Sequence, residues 1–414
     1  MPTMSKSKKI MRNDSRRNNK EENNRGISHR GILMYSSLIW DNIWSHSHEL
    51  TSILSKNFHI YYLEVPKNSA KGHEHLISKN RNPLPKNVTL LTPKKSFSSF
   101  GPAYMLYTQK ESIRFFLKHV NDFDIFITYN TYDIALLNLA KAFKKKILFM
   151  YVDEYEELTP NKFFRSYIAR NVRTFLKKAD AVVCTARILE KKARALNKNV
   201  YYLPNAVRLA DFKSLKHVTR KEAKQKKSHS GNEFIVGYVG ALGNWIDVDM
   251  IADTAKSLQN THPNITFQII GSGPGEKILQ DRMSREHINN IRLFGFVYRT
   301  DALKMMTRFD VAIIPFKINT ITQSVSPLKL FDYWMTGNAV ITTKTAELKQ
   351  FSGELALVGN TKEMKESIIS LSKNNDKLDA LAAKGKKIVL ERYNWERYES
   401  IYLDIIRKVL DSHK

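Results

Sequence analysis

Ser326-Pro327-Leu328-Lys329-Leu330-Phe331-Asp332-Tyr333-Trp334-Met335-Thr336-Gly337 lies between two apolar runs, Val311-Ala312-Ile313-Ile314-Pro315-Phe316 and Ala339-Val340-Ile341-Thr342-Thr343. Both runs read as strands buried on two faces, and the stretch between them as a loop leading into a helix over Leu328–Met335. Pro327 suits a first helical position because its φ is fixed and its missing N–H is not needed there. Gly337 suits the stop. A helix start therefore faces the loop, and its free N–H groups attract anions, phosphate above all. Lys329 adds a cation in the first turn. Asp332 can accept hydrogen bonds from a diol. A phosphate site beside a hydroxyl site suits a nucleotide-sugar ligand, yet the same unit is ordinary α/β construction. The rest of the chain has to decide.

Outward from this stretch the chain alternates. Before it, the expected strands are Gly31–Ser37, Phe58–Val65, Val88–Thr92, Asp124–Asn130, Lys146–Asp153, Ala181–Ala186 and Val200–Leu203. Pro204-Asn205-Ala206-Val207 then turns the chain. A second series begins at Phe234–Gly240 and continues through Ile265–Gly271, Ile291–Val297, Val311–Phe316, Ala339–Thr343 and Leu355–Val358. Helical segments intervene in both series, and two more, Asp376–Glu391 and Trp395–Asp411, close the chain. The pattern predicts an α/β protein with two tandem Rossmann-like domains facing a central cleft. The expected division is a basic tail over 1–30, domains over 31–204 and 205–390, and a final helix over 391–414 that returns to the first domain. Ligands of such sheets bind at the carboxyl ends of the strands.

The 414 residues carry 67 Lys and Arg against 40 Asp and Glu, a formal net charge of +27, which points to an anionic partner. The tail over 1–30 is basic and nearly free of apolar residues. It reads either as a tether to anionic lipid or as a solvated tail. The single cysteine, Cys184, excludes an intramolecular disulfide and fits a reducing cytoplasm. No apolar run approaches the ~20 residues of a membrane span, so a cytoplasmic, peripheral location is expected.

Several strand ends carry candidate chemistry. Gly237-Tyr238-Val239-Gly240-Ala241-Leu242-Gly243 and Ile269-Ile270-Gly271-Ser272-Gly273 let backbone N–H groups approach a phosphate, or simply turn. Neither matches a dinucleotide fingerprint or a Walker motif. Trp40-Asp41-Asn42-Ile43-Trp44-Ser45-His46-Ser47-His48 follows the first strand. Its tryptophans suit sugar stacking, and His46 and His48 suit proton transfer or acceptor orientation. A hydrophobic staple into the following helix is the other reading. Asp153-Glu154-Tyr155-Glu156 ends another strand, with Asp153 as a hydroxyl-orienting carboxylate or a turn cap. Asp122-Phe123-Asp124 and Asp247-Val248-Asp249 match a D-x-D pattern, but the first precedes a strand and the second begins a helix, as caps do. No metal-ligand spacing is convincing, so no metal or cofactor is expected.

The run from Val297 through Phe309-Asp310-Val311-Ala312-Ile313-Ile314-Pro315-Phe316 to Ser326–Val340, with the Pro204-Asn205 hinge and Tyr393-Asn394-Trp395-Glu396, resembles the GT-B glycosyltransferases of the retaining, GT4-like group. The resemblance is strongest to the teichuronic-acid-biosynthesis type and covers roughly residues 31 to 414. It implies transfer of a sugar from a nucleoside diphosphate sugar to a cell-envelope glycan or lipid-linked acceptor, with retention and without metal. It implies that Gly240, Gly243, Asn244, Gly271, Val297, Ser326, Lys329, Leu330 and Asp332 line the donor, with Lys329, Asp153, His46 and His48 in catalytic or orienting roles. Asp332 stands where the group has a ribose-binding glutamate. Ser324 stands where many members have a further glutamate, and the loop Gly240–Asp247 lacks their Arg and Lys. Two rivals remain: a basic protein binding nucleic acid or membrane on this scaffold, and a nucleotide-sugar 2-epimerase. No recognition helix, RNA-binding aromatic motif or zinc site supports specific nucleic-acid binding.

Overall fold

Parallel pairing decides the architecture. The computed structural model describes residues 31–41, 44–66, 83–94, 101–158, 162–215 and 233–412. The basic tail over 1–30, Asn42 and Ile43 of the tryptophan loop, and most of the basic connection over 213–229 lie outside them. The first sheet contains β1 (Gly31–Tyr35), β2 (His59–Leu63), β3 (Val88–Leu91), β4 (Ile125–Thr128), β5 (Lys146–Tyr151), β6 (Ala181–Cys184) and β7 (Val200–Tyr202). Its order is β3-β2-β1-β4-β5-β6-β7. The second contains β8 (Phe234–Val239), β9 (Ile265–Ile270), β10 (Ile291–Leu293), β11 (Val311–Ile314), β12 (Ala339–Thr343) and β13 (Ala356–Val358), in the order β10-β9-β8-β11-β12-β13. Neighbours pair in parallel throughout, for example Val311 with Ala339 and Ile32 with Ile60. Every expected strand forms, most of them shorter at the end that becomes a loop.

Alternate residues of one strand feed opposite layers. Ile32 and Met34 of β1 enter one apolar cluster, and Leu33 and Tyr35 enter another across the sheet. A separate cluster fills both faces of the second sheet. The two halves touch at a double crossing of the chain. Val207 bridges Asn394, donates to Tyr393 O at 3.0 Å and accepts from Trp395 N at 2.9 Å. Helix Trp395–Asp411 then packs against the first sheet's core: Trp395, Tyr398, Tyr402, Ile405 and Ile406 belong to that cluster. The Trp395 indole donates to Ala206 O at 3.1 Å.

Trp395 is 2% exposed and seals the crossing. Trp395→Ala should lower unfolding stability by about 3–5 kcal/mol, the range for aromatic truncation in a core. Urea unfolding of the two proteins measures this, and a loss below ~1 kcal/mol would mean that the helix is not anchored there.

Candidate functional site

Two glycine loops meet at the carboxyl edge of the second sheet. β8 ends at Gly240, whose φ of +138° lies in the region that glycine tolerates. Gly271, after β9, has φ +133°, and a Cβ there would lie 2.0 Å from Gly240 O. The loops are interlocked by Gly240 N to Ile270 O at 2.9 Å and Leu242 N to Ser272 O at 2.9 Å. Only glycine fits this close approach. Gly243 is covered by the Trp245 ring, while Asn244 and Trp245 are exposed.

Helix Leu328–Met335 starts beside these loops. Leu330, Phe331, Tyr333 and Trp334 are fully buried and fix its inner face. The Tyr333 hydroxyl accepts from Val239 N at 2.7 Å, tying the helix to the end of β8. Pro327 is the N-cap, one position earlier than a first-turn placement, and no side chain caps the helix. The first-turn N–H groups thus have no partner within the helix. Lys329 leans from that turn over β8: its Nζ donates to Tyr238 Oη at 2.8 Å and lies 4.1 Å from the Tyr238 ring centroid. A Cβ on Gly240 would be 2.6 Å from Nζ. Burial lowers the ammonium from its ordinary value to about 7. Lys329, Gly240 and Gly271 are therefore brought together at one strand edge. Leu330 is there too, but its side chain serves the core. Val297 is half-buried against the core between the exposed Phe296 and Tyr298.

Asp332 has a partner that sequence reasoning does not reach. It is 5% exposed, and both of its oxygens accept from the Arg299 guanidinium, Nη1 to Oδ2 at 2.9 Å and Nη2 to Oδ1 at 3.0 Å. Arg299 Nε also donates to Asp211 at 3.1 Å. The diol-accepting role expected of Asp332 thus meets a carboxylate already held in a two-point fork. No periodicity or spacing links positions 299 and 332.

Before the helix, Ser324 reaches across to the other half of the molecule and Ser326 to the Pro204-Asn205 hinge. Ser324 Oγ donates to Glu154 Oε1 at 2.9 Å. Ser326 accepts from Asn205 twice, on Oγ from the backbone N at 3.1 Å and on O from Nδ2 at 2.6 Å. Asp153, next to Glu154, is raised to about 7, first by burial and then by the Glu154 charge. The strand-end acids were visible in sequence, but the signal pointed to Asp153 rather than to Glu154.

The two histidines correct an expectation. His46 is 8% exposed, with Nδ1 bonded to Tyr129 Oη at 2.8 Å and its ring against Trp395. Burial lowers it to about 3. His48 is fully buried, bonded through Nδ1 to Ser45 Oγ at 2.8 Å and through Nε2 to Trp40 O at 3.0 Å. Burial lowers it to about 4. Both are packing and capping residues of the first sheet's core, held neutral, and neither is placed to carry a proton to a ligand. The D-x-D acids are likewise structural: Asp247 caps helix Val248–Gln259 through Met250 N, Asp249 pairs with Arg282, and Asp122 pairs with His119. Among the described residues no group of His, Cys, Asp and Glu is arranged to hold a metal ion.

Known proteins share this architecture. Residues 219–388 match the family model "Glycosyl transferases group 1". The protein named as a teichuronic acid biosynthesis glycosyltransferase, TuaH, of Bacillus subtilis (strain 168) is 25% identical over 254 residues. That match covers 60% of this chain and 57% of TuaH, so the likeness spans little more than half of the relative. Sucrose-phosphate synthase from Thermosynechococcus elongatus superposes with a TM-score of 0.73 at 14% identity, over 92% of this chain and 100% of that one. HepE from Anabaena, in complex with UDP-glucose, superposes with a TM-score of 0.66 at 14% identity, over 91% and 99%. WaaG, a glycosyltransferase involved in lipopolysaccharide biosynthesis, gives 0.65 at 12% identity, over 89% and 99%. The chain has the GT-B fold, and its residues 219–388 are similar to the glycosyl transferases group 1 family.

Proposed function

We propose that this protein transfers a sugar from a nucleoside diphosphate sugar to a hydroxyl of a cell-envelope polysaccharide or lipid-linked acceptor. One observation carries the reading. Lys329 holds a half-buried ammonium over Gly240, with the Tyr238 hydroxyl and ring as its partners, beside helix N–H groups that no described side chain caps. A desolvated ammonium is costly unless an anion joins it. A diphosphate would supply that anion and would in turn be bound by the first-turn N–H groups of Leu328 and Lys329. The UDP-glucose complex of HepE and the name of TuaH support the ligand class and the envelope setting.

In the reaction the bond between the anomeric carbon and the diphosphate oxygen breaks, and the electron pair leaves with that oxygen. The acceptor oxygen forms the new bond and gives up its proton to the departing diphosphate oxygen. Lys329 and the helix start hold the charge that develops on the departing diphosphate, an electrostatic contribution set in place before the reaction. Asp153, raised to about 7, is the carboxylate proposed to orient the acceptor hydroxyl. Retention and metal independence follow from the family resemblance and belong to the proposal. So does a cytoplasmic place at the membrane, where the basic residues over 1–30 would meet anionic lipid. Among the described residues no helix is long and apolar enough to cross a membrane.

Isothermal titration with UDP, GDP and their sugars tests the donor site. One nucleotide should bind without added metal, and Lys329→Met should weaken it about 10- to 150-fold, the worth of a charged hydrogen bond. Failure of all of them to bind, or equal binding by the variant, removes the assignment. A second consequence follows from the titration of Lys329. Free, it titrates near 7, and a bound diphosphate must raise it, so binding takes up a proton between those two values. Affinity for the nucleotide sugar should therefore fall as pH rises above about 7, toward a limit of about tenfold per pH unit. Titrations in buffers of different ionisation enthalpy read the proton uptake, which Lys329→Met should abolish.

A further inference from the structure

The turn that presents the helix start is pinned by the first half of the molecule, through Glu154, and by the hinge, through Asn205. Ser324 is 1% exposed and Ser326 3% exposed, so neither side chain is bonded to bulk water. Ser324 Oγ crosses to Glu154 Oε1 at 2.9 Å, and the two Asn205 bonds grip Ser326 on its hydroxyl and its carbonyl. Pro327 then fixes φ at −75° before the helix begins. Each of these constraints acts within five residues of Lys329.

Glu154 has the features of a built fixture. Its side chain is fully buried. One oxygen takes both Ser324 Oγ and Lys192 Nζ, the latter at 2.5 Å, and the other takes Tyr151 Oη at 3.3 Å. A carboxylate enclosed this way stands only while its hydrogen bonds are complete. Removing Ser324 from it leaves a desolvated charge with one half-exposed lysine and a long tyrosine contact. The Glu154–Ser324 bond is therefore charge-assisted and couples the two halves.

We propose that Glu154 is a positioning residue for the donor site. From the end of β5 it holds Ser324, and together with Asn205 it sets the turn 324–327. The helix N–H groups and Lys329 thereby meet a diphosphate in one fixed geometry. The donor site is complete only with the two halves in contact. This rests on the donor reading given above. It adds that a residue of the first half, which touches no part of the nucleotide, governs the affinity of the second.

A double-mutant cycle on UDP affinity tests it, with Glu154→Ala, Ser324→Ala and both together, each titrated calorimetrically alongside thermal unfolding. Each single variant should weaken UDP about tenfold, and the double variant should weaken it about tenfold as well rather than a hundredfold, because one bond is being removed. Glu154→Gln keeps an oxygen acceptor for Ser324 and should stay within about threefold of the native affinity. A role in stability alone would lower the unfolding temperature and leave UDP affinity unmoved. If Glu154→Ala fails to fold, Ser324→Ala against Glu154→Gln still decides, since the first should lose affinity and the second keep it. Full affinity in Ser324→Ala, or additive losses across the cycle, would overturn the proposal while leaving the donor site intact. Failure of the native protein to bind UDP, GDP or their sugars would instead remove the donor reading beneath it.

Discussion

A half-buried ammonium to which, among the described residues, no carboxylate is bonded is the constraint on which the site depends. Lys329 Nζ rests on the Tyr238 ring and hydroxyl, above a glycine whose missing Cβ makes room for it. Burial alone lowers it to about 7. The arrangement is unfavourable for the free protein and favourable for one that meets an anion, since the anion restores the charge that the site has suppressed. The neighbouring parts follow from it. Gly240 must be glycine for its φ of +138°, Gly271 must be glycine to admit the Gly240 carbonyl, and Tyr333 must fasten the helix so that Lys329 reaches β8.

Around this centre the seam between the two halves is polar and specific. Glu154 crosses to Ser324, and Asn205 ties the hinge to Ser326. Glu347, 2% exposed, crosses in the other direction to Arg187 N at 2.7 Å and to the Tyr202 hydroxyl at 2.5 Å. Arg208 joins Glu49 to the linker at 2.9 Å, and Asp211 joins the linker to Arg299 and so to Asp332. Hydrogen bonds of this kind separate and re-form more readily than a shared apolar core, because each half keeps its own cluster of buried side chains. The double crossing at Val207 and Asn394 is where the chain keeps the halves linked.

Much of the fold was legible because both sheets are parallel and buried on two faces, which writes each strand as a short continuous apolar run. Strand ends were less legible: β10 stops at Leu293, not Val297, because Gly295 turns at φ +64° and exposes Phe294 and Phe296 on either side of it. At the site, Lys329 and the glycine loops could be read from spacing, since a helix start and its first turn are local features. Arg299, Glu154 and Asn205 could not be assigned partners, because their contacts join residues 33, 170 and 121 positions apart. His46 and His48 misled for a related reason. A polar residue after a strand looks the same in sequence whether its ring faces a cleft or closes a core, and here Trp395 covers His46 while Trp40, Trp44 and Tyr62 surround His48.

A crystal structure of the protein with UDP bound tests the central claim most directly. The account predicts the diphosphate within hydrogen-bonding distance of Lys329 Nζ and of the Leu328 and Lys329 N–H groups, above Gly240, with the Tyr238 hydroxyl still beside the ammonium. A nucleotide seated elsewhere, or a diphosphate held by Arg299 with Lys329 left on Tyr238 alone, would contradict it.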